Sequence, residues 1–453
     1  MLRRIAVVCI SIAVSAIHPT SALELSAKDQ CAALAAYIWE PGFRETGIAW
    51  NQIDVKAALP ACLAADLETP NDPPTLYRLG RIYLQQHDFD RALPLLLEAA
   101  EAGYGPAQTA YGTAFIQGEI APDYVVALRW LKRAAANGQP MAKANLATLY
   151  LGEHGLPLDL ERYTTLTMEA ALAGVDLAQY RAGWSYQAGY GVEQDLAKAE
   201  HWYRLSASQS YAVAQRELGS LLSRAAQDQS DHQEAFQFMS LAADQGDSPA
   251  IVLVGWSYMT GHGVEKDMQR AREYFERAYA LGDAQGARYL GHLHEFGKGV
   301  PVDLSRAFGY YVQAAWLGNA DAQYRVGVFL SSGRGSILKD DAAGLAWFLR
   351  AAYAGHVDAQ VAAGQVYDYR FQDDPAPLYD PEKAFYWYDV AANSGSLKAA
   401  LWLALYYGNR NDFETANAYV TYVLENGDQA MIDDAQGTMN ALAFLKRTNQ
   451  IPM

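Results

Sequence analysis

The sequence predicts an all-α protein built as a tandem array of helix–turn–helix units. Two rows of glycines carry this prediction, because each row returns at a spacing of about 36 residues. The first row follows alanine-rich segments and comprises Gly138, Gly174, Gly246, Gly282, Gly318 and Gly355, with a double interval after Gly174. The second row comprises Gly183, Gly219, Gly255, Gly291 and Gly327. Two rows that share one period indicate repeated supersecondary units.

Residues 247–282 show what one unit contains. Small and apolar residues at helical spacing predict its first helix: Ala250, Val254, Gly255 and Tyr258. Gly261 and Gly263 then predict a turn, and Asp267 is placed to cap a second helix. The apolar face of that helix is Ala271, Tyr274, Phe275 and Ala278. Gly282 follows it, where a left-handed residue satisfies the last helical carbonyls. One such hairpin buries only part of its apolar surface, so each must stack on its neighbours.

The repeated unit can be written as one motif, A-x-x-x-x-LG-x-x-Y-x-x-G-x-GV-x-x-D-x-x-KA-x-x-WY-x-x-A. Residues 178–203 match it best, with the sequence AQYRAGWSYQAGYGVEQDLAKAEHWY. It resembles the Sel1-like repeat family, a relative of tetratricopeptide repeats, and about ten units fit between residues 73 and 427. The resemblance implies a right-handed superhelical solenoid. Some units depart from the pattern: the first lacks the Gly-x-Gly turn, the fifth has a polar turn at 227–231, and the ninth carries an insertion at 371–380.

The two ends of the chain predict an exported protein. Arg3 and Arg4 precede an apolar run at 5–17, which is typical of a signal peptide (residues 1–22) cleaved near Ala22. The run is too short for a stable membrane span, and an uncleaved anchor is the alternative. We therefore expect a periplasmic or secreted location. At the other end, residues 428–453 predict a C-terminal capping helix.

Export to an oxidising compartment would allow the cysteines to form a disulfide. Cys31 and Cys62 are the pair that remains once residues 1–22 are removed, and an even pair in an oxidising compartment predicts a disulfide. Residues 23–72 contain no 36-residue unit, so we interpret them as a disulfide-stapled helical cap on the first repeat. A thiol pair that binds a metal is the alternative.

Composition argues against several classes of partner and against catalysis. A formal net charge of −16, spread along the chain, disfavours nucleic acid and anionic lipid as main partners. Neither G-x-S-x-G, H-E-x-x-H nor a P-loop occurs. His292 and His294 are two residues apart on a predicted helix, which points them to different faces, so we expect no metal site there. We predict no catalytic residues and no cofactor, and thus a protein that is not an enzyme.

Helical arrays bind partners on the concave wall formed by their first helices. In tetratricopeptide geometry, which this family resembles, the inward positions lie three residues before the first-helix glycine, one after it and four after it. The predicted partner-binding residues are Tyr180, Trp184, Gln187, Trp256, Met259, Arg288, His292, Glu295 and Tyr324. Tryptophan and arginine are typical of binding hot spots. The alternative is that Trp184 and Trp256 pack between adjacent units.

The leading hypothesis is therefore an exported scaffold that binds proteins of the cell envelope, in signalling or assembly, and that is monomeric. Two alternatives come from other functional classes. A tyrosine- and tryptophan-rich wall also suits a glycan- or peptidoglycan-binding module. A β-lactam-binding or hydrolysing enzyme is less favoured, because relatives of that kind staple individual repeats with disulfides, whereas this chain has one pair outside the repeats.

Overall fold

A computed structural model describes residues 25–49, 52–116, 120–153, 156–368 and 378–448. The predicted signal peptide, and residues 371–377 of the predicted insertion, lie outside these ranges. Within them the regular structure is helical, without a strand. The helices are α1 (Ala27–Ala35), α2 (Val55–Glu68), α3 (Pro73–Gln85), α4 (Phe89–Glu101), α5 (Gly105–Ala114), α6 (Tyr124–Ala136), α7 (Pro140–Thr148), α8 (Leu160–Leu172), α9 (Asp176–Ala188), α10 (Leu196–Ser208), α11 (Ala212–Ala225), α12 (Gln229–Asp244), α13 (Ser248–Thr260), α14 (Met268–Ala280), α15 (Ala284–Phe296), α16 (Leu304–Trp316), α17 (Ala320–Ser332), α18 (Asp341–Tyr353), α19 (Val357–Tyr367), α20 (Pro381–Asn393), α21 (Leu397–Asn409), α22 (Phe413–Asn426) and α23 (Gln429–Thr448).

Helices α3 to α22 form ten consecutive pairs, which we number repeat 1 (α3 and α4) to repeat 10 (α21 and α22). The two helices of each pair pack against each other. The chain divides into two compact units, residues 1–209 and 210–453, called here the N-terminal and C-terminal units. Within each unit, the second helix of one repeat also packs on the first helix of the next. The predicted all-α array of stacked helix pairs is thus confirmed.

The glycines of the first helices allow the two helices of a repeat to touch. A Cβ atom on Gly255 would lie 2.7 Å from the ring of Phe275, and one on Gly291 would lie 2.8 Å from the ring of Tyr311. Both rings are buried. The second helix therefore presses an aromatic ring onto the backbone of the first, which requires glycine at that point.

The turn glycines join successive repeats. Gly263 has φ +74°, and a Cβ atom there would lie 2.1 Å from the carbonyl oxygen of His232 in the preceding repeat. Gly299 approaches the side chain of Met268 in the same way. The second glycine of the Gly-x-Gly turn thus serves the stacking of neighbours as well as the turn itself.

The glycines that follow the second helices take the left-handed conformation that the sequence predicts. Gly282 has φ +82°, and its amide donates a hydrogen bond to the carbonyl of Tyr279. The double interval in this row is filled by Ser210, which takes the same conformation with φ +63° although it is not glycine. An L-residue is strained in this region.

The N-terminal cap consists of α1, α2 and the segment that joins them. The predicted disulfide is present between Cys31 and Cys62, and both residues are buried. The two helices pack on α3, with Ala58 and Ile82 in the shared core. The cap therefore covers the first helix of repeat 1.

The C-terminal end is closed by α23, which packs on α21 and α22. Ala435 and Leu442 face this interface and are buried. The spacing of Met431, Ala435, Met439 and Leu442 predicts one apolar face for this helix. Met439 is exposed instead, and Thr438 beside it is buried. The helix is thus rotated slightly from the face that the hydrophobic pattern alone predicts.

The left-handed positions can be tested with two substitutions that should change the free energy of unfolding in opposite directions. We expect Gly282→Ala to lower the free energy of unfolding by about 1 kcal/mol, because a Cβ atom meets nothing within 4 Å there and only the backbone is strained. Ser210→Gly should raise it by about 0.5–1 kcal/mol for the converse reason. Denaturant midpoints of the full chain measure both.

Gly437→Ala is the matched control, since Gly437 lies within α23 with open space around it. This change should stabilise the protein by about 0.5–1 kcal/mol. Identical midpoints for Gly282→Ala and the wild type would contradict the assignment of the glycine row to left-handed caps.

The disulfide should contribute about 3–4 kcal/mol to stability in the chain-entropy model, since it joins residues separated by 31 positions. A reductant should lower the unfolding midpoint of the wild type and leave a Cys31→Ala/Cys62→Ala variant unaffected. Alkylation and mass spectrometry of the purified protein should find both thiols blocked. Free thiols at these two positions would refute the prediction.

Candidate functional site

The predicted binding residues of the N-terminal unit lie on α9. Trp184 keeps 38% of its surface exposed and lies 5.1 Å from the ring of Tyr190, in the turn of the same repeat. Tyr180 stacks on the buried Tyr203 of α10 at 6.0 Å. Gln187 is half-buried one turn further along. Trp184 is therefore accessible to a partner, whereas the ring of Tyr180 contributes to packing within its repeat.

In repeat 6, Trp256 rests on the turn of its own repeat. Its ring stacks on His262 at 4.8 Å with the two planes nearly parallel. Thr260 holds this arrangement, because its hydroxyl donates to the carbonyl of Trp256 and lies 2.7 Å from Nδ1 of His262. Met259 is half-buried beside the repeat core. The indole is half-buried, so part of it stays accessible.

Glu295 on α15 is a buried link between repeats 7 and 8. Its side chain has no exposed surface. One carboxylate oxygen accepts a hydrogen bond from the Tyr311 hydroxyl at 2.7 Å, and the other accepts one from Arg334 at 2.5 Å. Arg325 lies 3.8 Å from the same oxygen as Arg334. The sequence placed Glu295 on a binding wall, but the structure gives it a packing role.

Two basic side chains, Arg325 and Arg334, lie beside this carboxylate, and two more act on the neighbouring His292. We call the four the cationic cluster: Arg288, Lys298, Arg325 and Arg334. Arg325 and Arg334 are each more than a third exposed. Arg288 lies 3.7 Å from Asp321, and Lys298 is exposed. Glu295 and Asp321 balance two of these four charges, so the surface carries a local excess of positive charge on a chain of net charge −16.

His292 reports this positive surrounding. Nε2 of His292 lies 2.9 Å from Nζ of Lys298, and the ring lies against Phe296 at 4.7 Å. Burial, together with the positive charges of Lys298 and Arg288, lowers the pKa of His292 to about 4. The imidazole is therefore neutral at pH 7 and acts as a neutral polar group within the cluster.

Tyr324 on α17 adjoins this region. It stacks on His356 at 4.9 Å, and Nε2 of His356 lies 3.2 Å from Asp321. Asp321 thus lies beside both Arg288 and His356, the ring on which Tyr324 stacks, and the charge of Arg325 acts on both His292 and Tyr324. Trp256 lies one repeat earlier.

Across the described ranges, no group of three or more histidine, cysteine, aspartate or glutamate side chains is arranged to hold a metal ion. Along the same residues, no helix combines the length and the apolar character that crossing a bilayer requires.

The N-terminal unit contains a cavity that sequence reasoning missed. It has a volume of about 360 Å³ and lies between the segment that joins α1 to α2 and the first helices of repeats 1 to 4. Aromatic, basic and amide side chains line it, among them Tyr37, Trp39, Tyr77, Arg81, Gln139 and Asn145. The aromatic residues between Cys31 and Cys62 were the available signal, but they belong to no repeat and so gave no register.

One end of the joining segment is fixed by Glu40, which is buried. Its carboxylate accepts hydrogen bonds from the Arg78 guanidinium at 2.8 and 3.0 Å, and from the Tyr104 hydroxyl at 2.9 Å. It also accepts one from the backbone amide of Tyr37. This buried pair holds the segment against repeats 1 and 2.

Residues on either side of Glu40, Trp39 and Arg44, reach repeats 3 and 4. Trp39 packs against the core formed by α7, α8 and α9, and the Arg44 guanidinium lies 3.8 Å from the centre of its ring. Arg44 also donates to the carbonyl of Ala173, 129 residues away in sequence. The joining segment therefore crosses several repeats and forms one wall of the cavity.

Comparison with known proteins agrees with this architecture. The Sel1 repeat pattern matches eight segments: 73–104, 105–139, 176–211, 212–247, 248–283, 284–319, 320–356 and 357–396. One similar crystal structure is that of a protective antigen of uropathogenic Escherichia coli, described as having an SLR fold. It is 25% identical in sequence and has a TM-score of 0.56, and the match covers 85% of this chain and 81% of that protein. A Sel1 repeat protein from Oxalobacter formigenes is 28% identical with a TM-score of 0.51, covering 54% and 96%.

Among curated proteins, chitin synthase regulatory factor 3 of Schizosaccharomyces pombe is 29% identical over 159 residues, which is 33% of this chain. The matched segment spans only 17% of that protein, and other curated relatives are matched over 20% to 28% of their lengths. The likeness to these proteins is therefore confined to a part of each.

The burial of His292 and the positive charges around it can be tested by titration. We expect this residue to titrate near pH 4 in the folded protein, well below the ordinary value of about 6.5. Between these two pH values the unfolded chain binds a proton that the folded chain does not, so the free energy of unfolding falls as the pH falls. Histidine ring NMR measures the titration, and His292→Gln assigns the signal.

Lys298→Gln should raise the pKa of His292, because it removes a positive charge 2.9 Å away. Lys266→Gln, a change at an exposed lysine in the preceding turn, is the control and should leave it unaltered. Titration of His292 near pH 6.5 in the wild type would contradict both the burial of the ring and the effect of the nearby positive charges.

Proposed function

The chain belongs to the Sel1 repeat family, and from this we propose that it is an exported scaffold that binds a protein of the cell envelope through its first helices. Stacked helix pairs of this kind present an extended surface to partners. The proposal assigns binding, in envelope signalling or assembly, and no chemical reaction.

The observation that carries the proposal is the cationic cluster on repeats 7 and 8. Arginine and aromatic residues are enriched where binding energy is concentrated. Arg325 lies within 5.9 Å of the Phe296 ring, so the cluster combines charge with aromatic surface. An excess of positive charge on an acidic chain also favours a partner that presents acidic groups at this place.

Trp256, one repeat earlier on α13, extends this surface. Its ring is supported from behind by His262 and is therefore held in one orientation. A side chain that is already ordered loses little conformational entropy when a partner binds. This favours a role for Trp256 as an anchor for the same partner.

The disulfide supports the export of the protein. Cys31 and Cys62 are buried, and disulfides of this kind persist in oxidising compartments such as the bacterial periplasm. The signal-like pattern of residues 1–22 agrees with it. A solved relative that is a protective antigen of uropathogenic Escherichia coli also suits a role outside the cytoplasm.

Affinity capture from the native cell envelope tests the proposal. The site variant is Trp256→Ala/Lys298→Gln/Arg325→Gln. The control carries the same types of change on exposed second-helix residues, Trp316→Ala/Arg306→Gln/Lys132→Gln. We expect a protein that is recovered with the wild type and the control and depleted at least tenfold with the site variant, as read by mass spectrometry.

Each variant is also melted, because the proposal requires the site variant to lose binding while its melting temperature stays close to that of the control. A Trp184→Ala variant tests the corresponding position of the N-terminal unit. Equal recovery of every protein by site variant and control would exclude this surface. Recovery of polysaccharide in place of protein would favour the glycan-binding alternative.

A further inference from the structure

We propose that the cavity of the N-terminal unit is a binding site for an organic carboxylate with an aromatic or aliphatic body. This site is separate from the cationic cluster, and the proposal stands independently of the protein partner proposed above. Three features define the ligand: the size and walls of the cavity, a buried guanidinium, and two amide side chains.

The cavity has the size and the apolar walls of a small-ligand site. A volume of about 360 Å³ falls within the range of such sites and accommodates a group as large as one aromatic side chain. Tyr37 and Trp39 of the cap form one wall, and Tyr77, Phe89 and Met141 contribute further apolar surface. These walls select the body of the ligand.

Arg81 supplies the charge. It is only 4% exposed, yet it lines the cavity. Its guanidinium donates to the carbonyls of Ala35 at 2.5 Å and Ile48 at 2.8 Å, which uses two of the five N–H groups of an arginine. It also lies 4.7 Å from the ring of Tyr37. Within the described residues no carboxylate comes within 4.0 Å of it.

Arg78, one turn earlier on the same helix, provides an internal comparison. It is buried to the same extent, and it is paired with the carboxylate of Glu40. A buried cation without a counter-charge is costly. A carboxylate that enters the cavity would therefore stabilise Arg81 in the way that Glu40 stabilises Arg78. The ligand that satisfies Arg81 is therefore an anion.

The surrounding electrostatics agree with an anionic ligand. Burial raises the pKa of both Tyr37 and Tyr77, and the charge of Arg81 opposes that rise at each. Asp176 acts on Tyr37, and Glu40 on Tyr77, each more weakly than Arg81 does. The positive charge thus dominates at this side of the cavity.

Two amides complete the site. Asn145 lies on α7, and Gln139 is the residue immediately before that helix. Both side chains line the cavity. Asn145 is oriented by a hydrogen bond from its Nδ2 to the hydroxyl of Thr113 at 2.9 Å. Amide groups of this kind fix the orientation of a ligand that also bears N–H or carbonyl groups. A carboxylate at the C-terminus of a peptide and a free aromatic acid share the required chemistry.

Calorimetric titration of the full chain tests the site with three probes: N-acetylphenylalanine, its amide, and a pentapeptide with a C-terminal phenylalanine. We expect the free acid to bind at least tenfold more tightly than the amide, because only the acid pairs with Arg81. Tighter binding of the pentapeptide than of the free acid would assign the source to a protein terminus, and the reverse to a small metabolite. Equal binding of acid and amide, or no binding of any probe at millimolar concentration, would overturn the proposal.

Two variants locate the binding. Arg81→Gln should remove the preference for acid over amide, a ratio that does not depend on how stable the variant is. Ala110→Leu fills part of the cavity from α5, keeps Arg81 in the sequence, and should weaken binding at least tenfold. Ala188→Leu, an exposed alanine on α9, is the control and should bind as the wild type does. Undiminished binding by Ala110→Leu would place the ligand elsewhere and overturn the proposal.

Discussion

The contact between a first-helix glycine and a second-helix aromatic ring is the constraint on which the array depends. Where Gly255 meets Phe275 and Gly291 meets Tyr311, the missing Cβ sets the distance between the two helices of a repeat. That distance fixes how the pair presents its outer surfaces to the next pair. The contact recurs in repeats 4, 6, 7, 8 and 9, and Met239 takes the place of the ring in repeat 5. The packing within these repeats is therefore similar, and the remaining first-helix positions are free to vary.

Those variable positions give the repeats their individual properties. Repeat 7 places Glu295 where repeat 6 has Met259 and repeat 4 has Gln187. The buried carboxylate then pairs with Arg334 from the turn of repeat 8 and lies 3.8 Å from Arg325, so it positions two members of the cationic cluster. A single departure from the repeating pattern thus changes the chemistry of two neighbouring repeats, and this is the physical basis of the binding surface proposed above.

The fold was predictable because its determinants are local and periodic. The glycine rows and the capping aspartates, such as Asp267, give helix boundaries, and the structure confirms the pairs they predict. Glu295 was predicted to face a partner, but its side chain is buried. Helical position alone does not reveal that Tyr311 and Arg334 reach it from other elements. The N-terminal cavity was missed for a related reason. It depends on contacts of Glu40 and Trp39 with helices far along the chain, and no spacing rule encodes such contacts.

The docking of the cap segment has a consequence for the order in which the protein folds. Neighbouring repeats meet through residues close in sequence, which favours rapid formation. The contact of Arg44 with Ala173 spans 129 residues and requires α8 and α9 to be in place first. Closure of the cap over repeats 1 to 4 is therefore a late event of high contact order, and the Cys31–Cys62 bond reduces the entropy lost in that step by tethering α1 to α2 on either side of the segment.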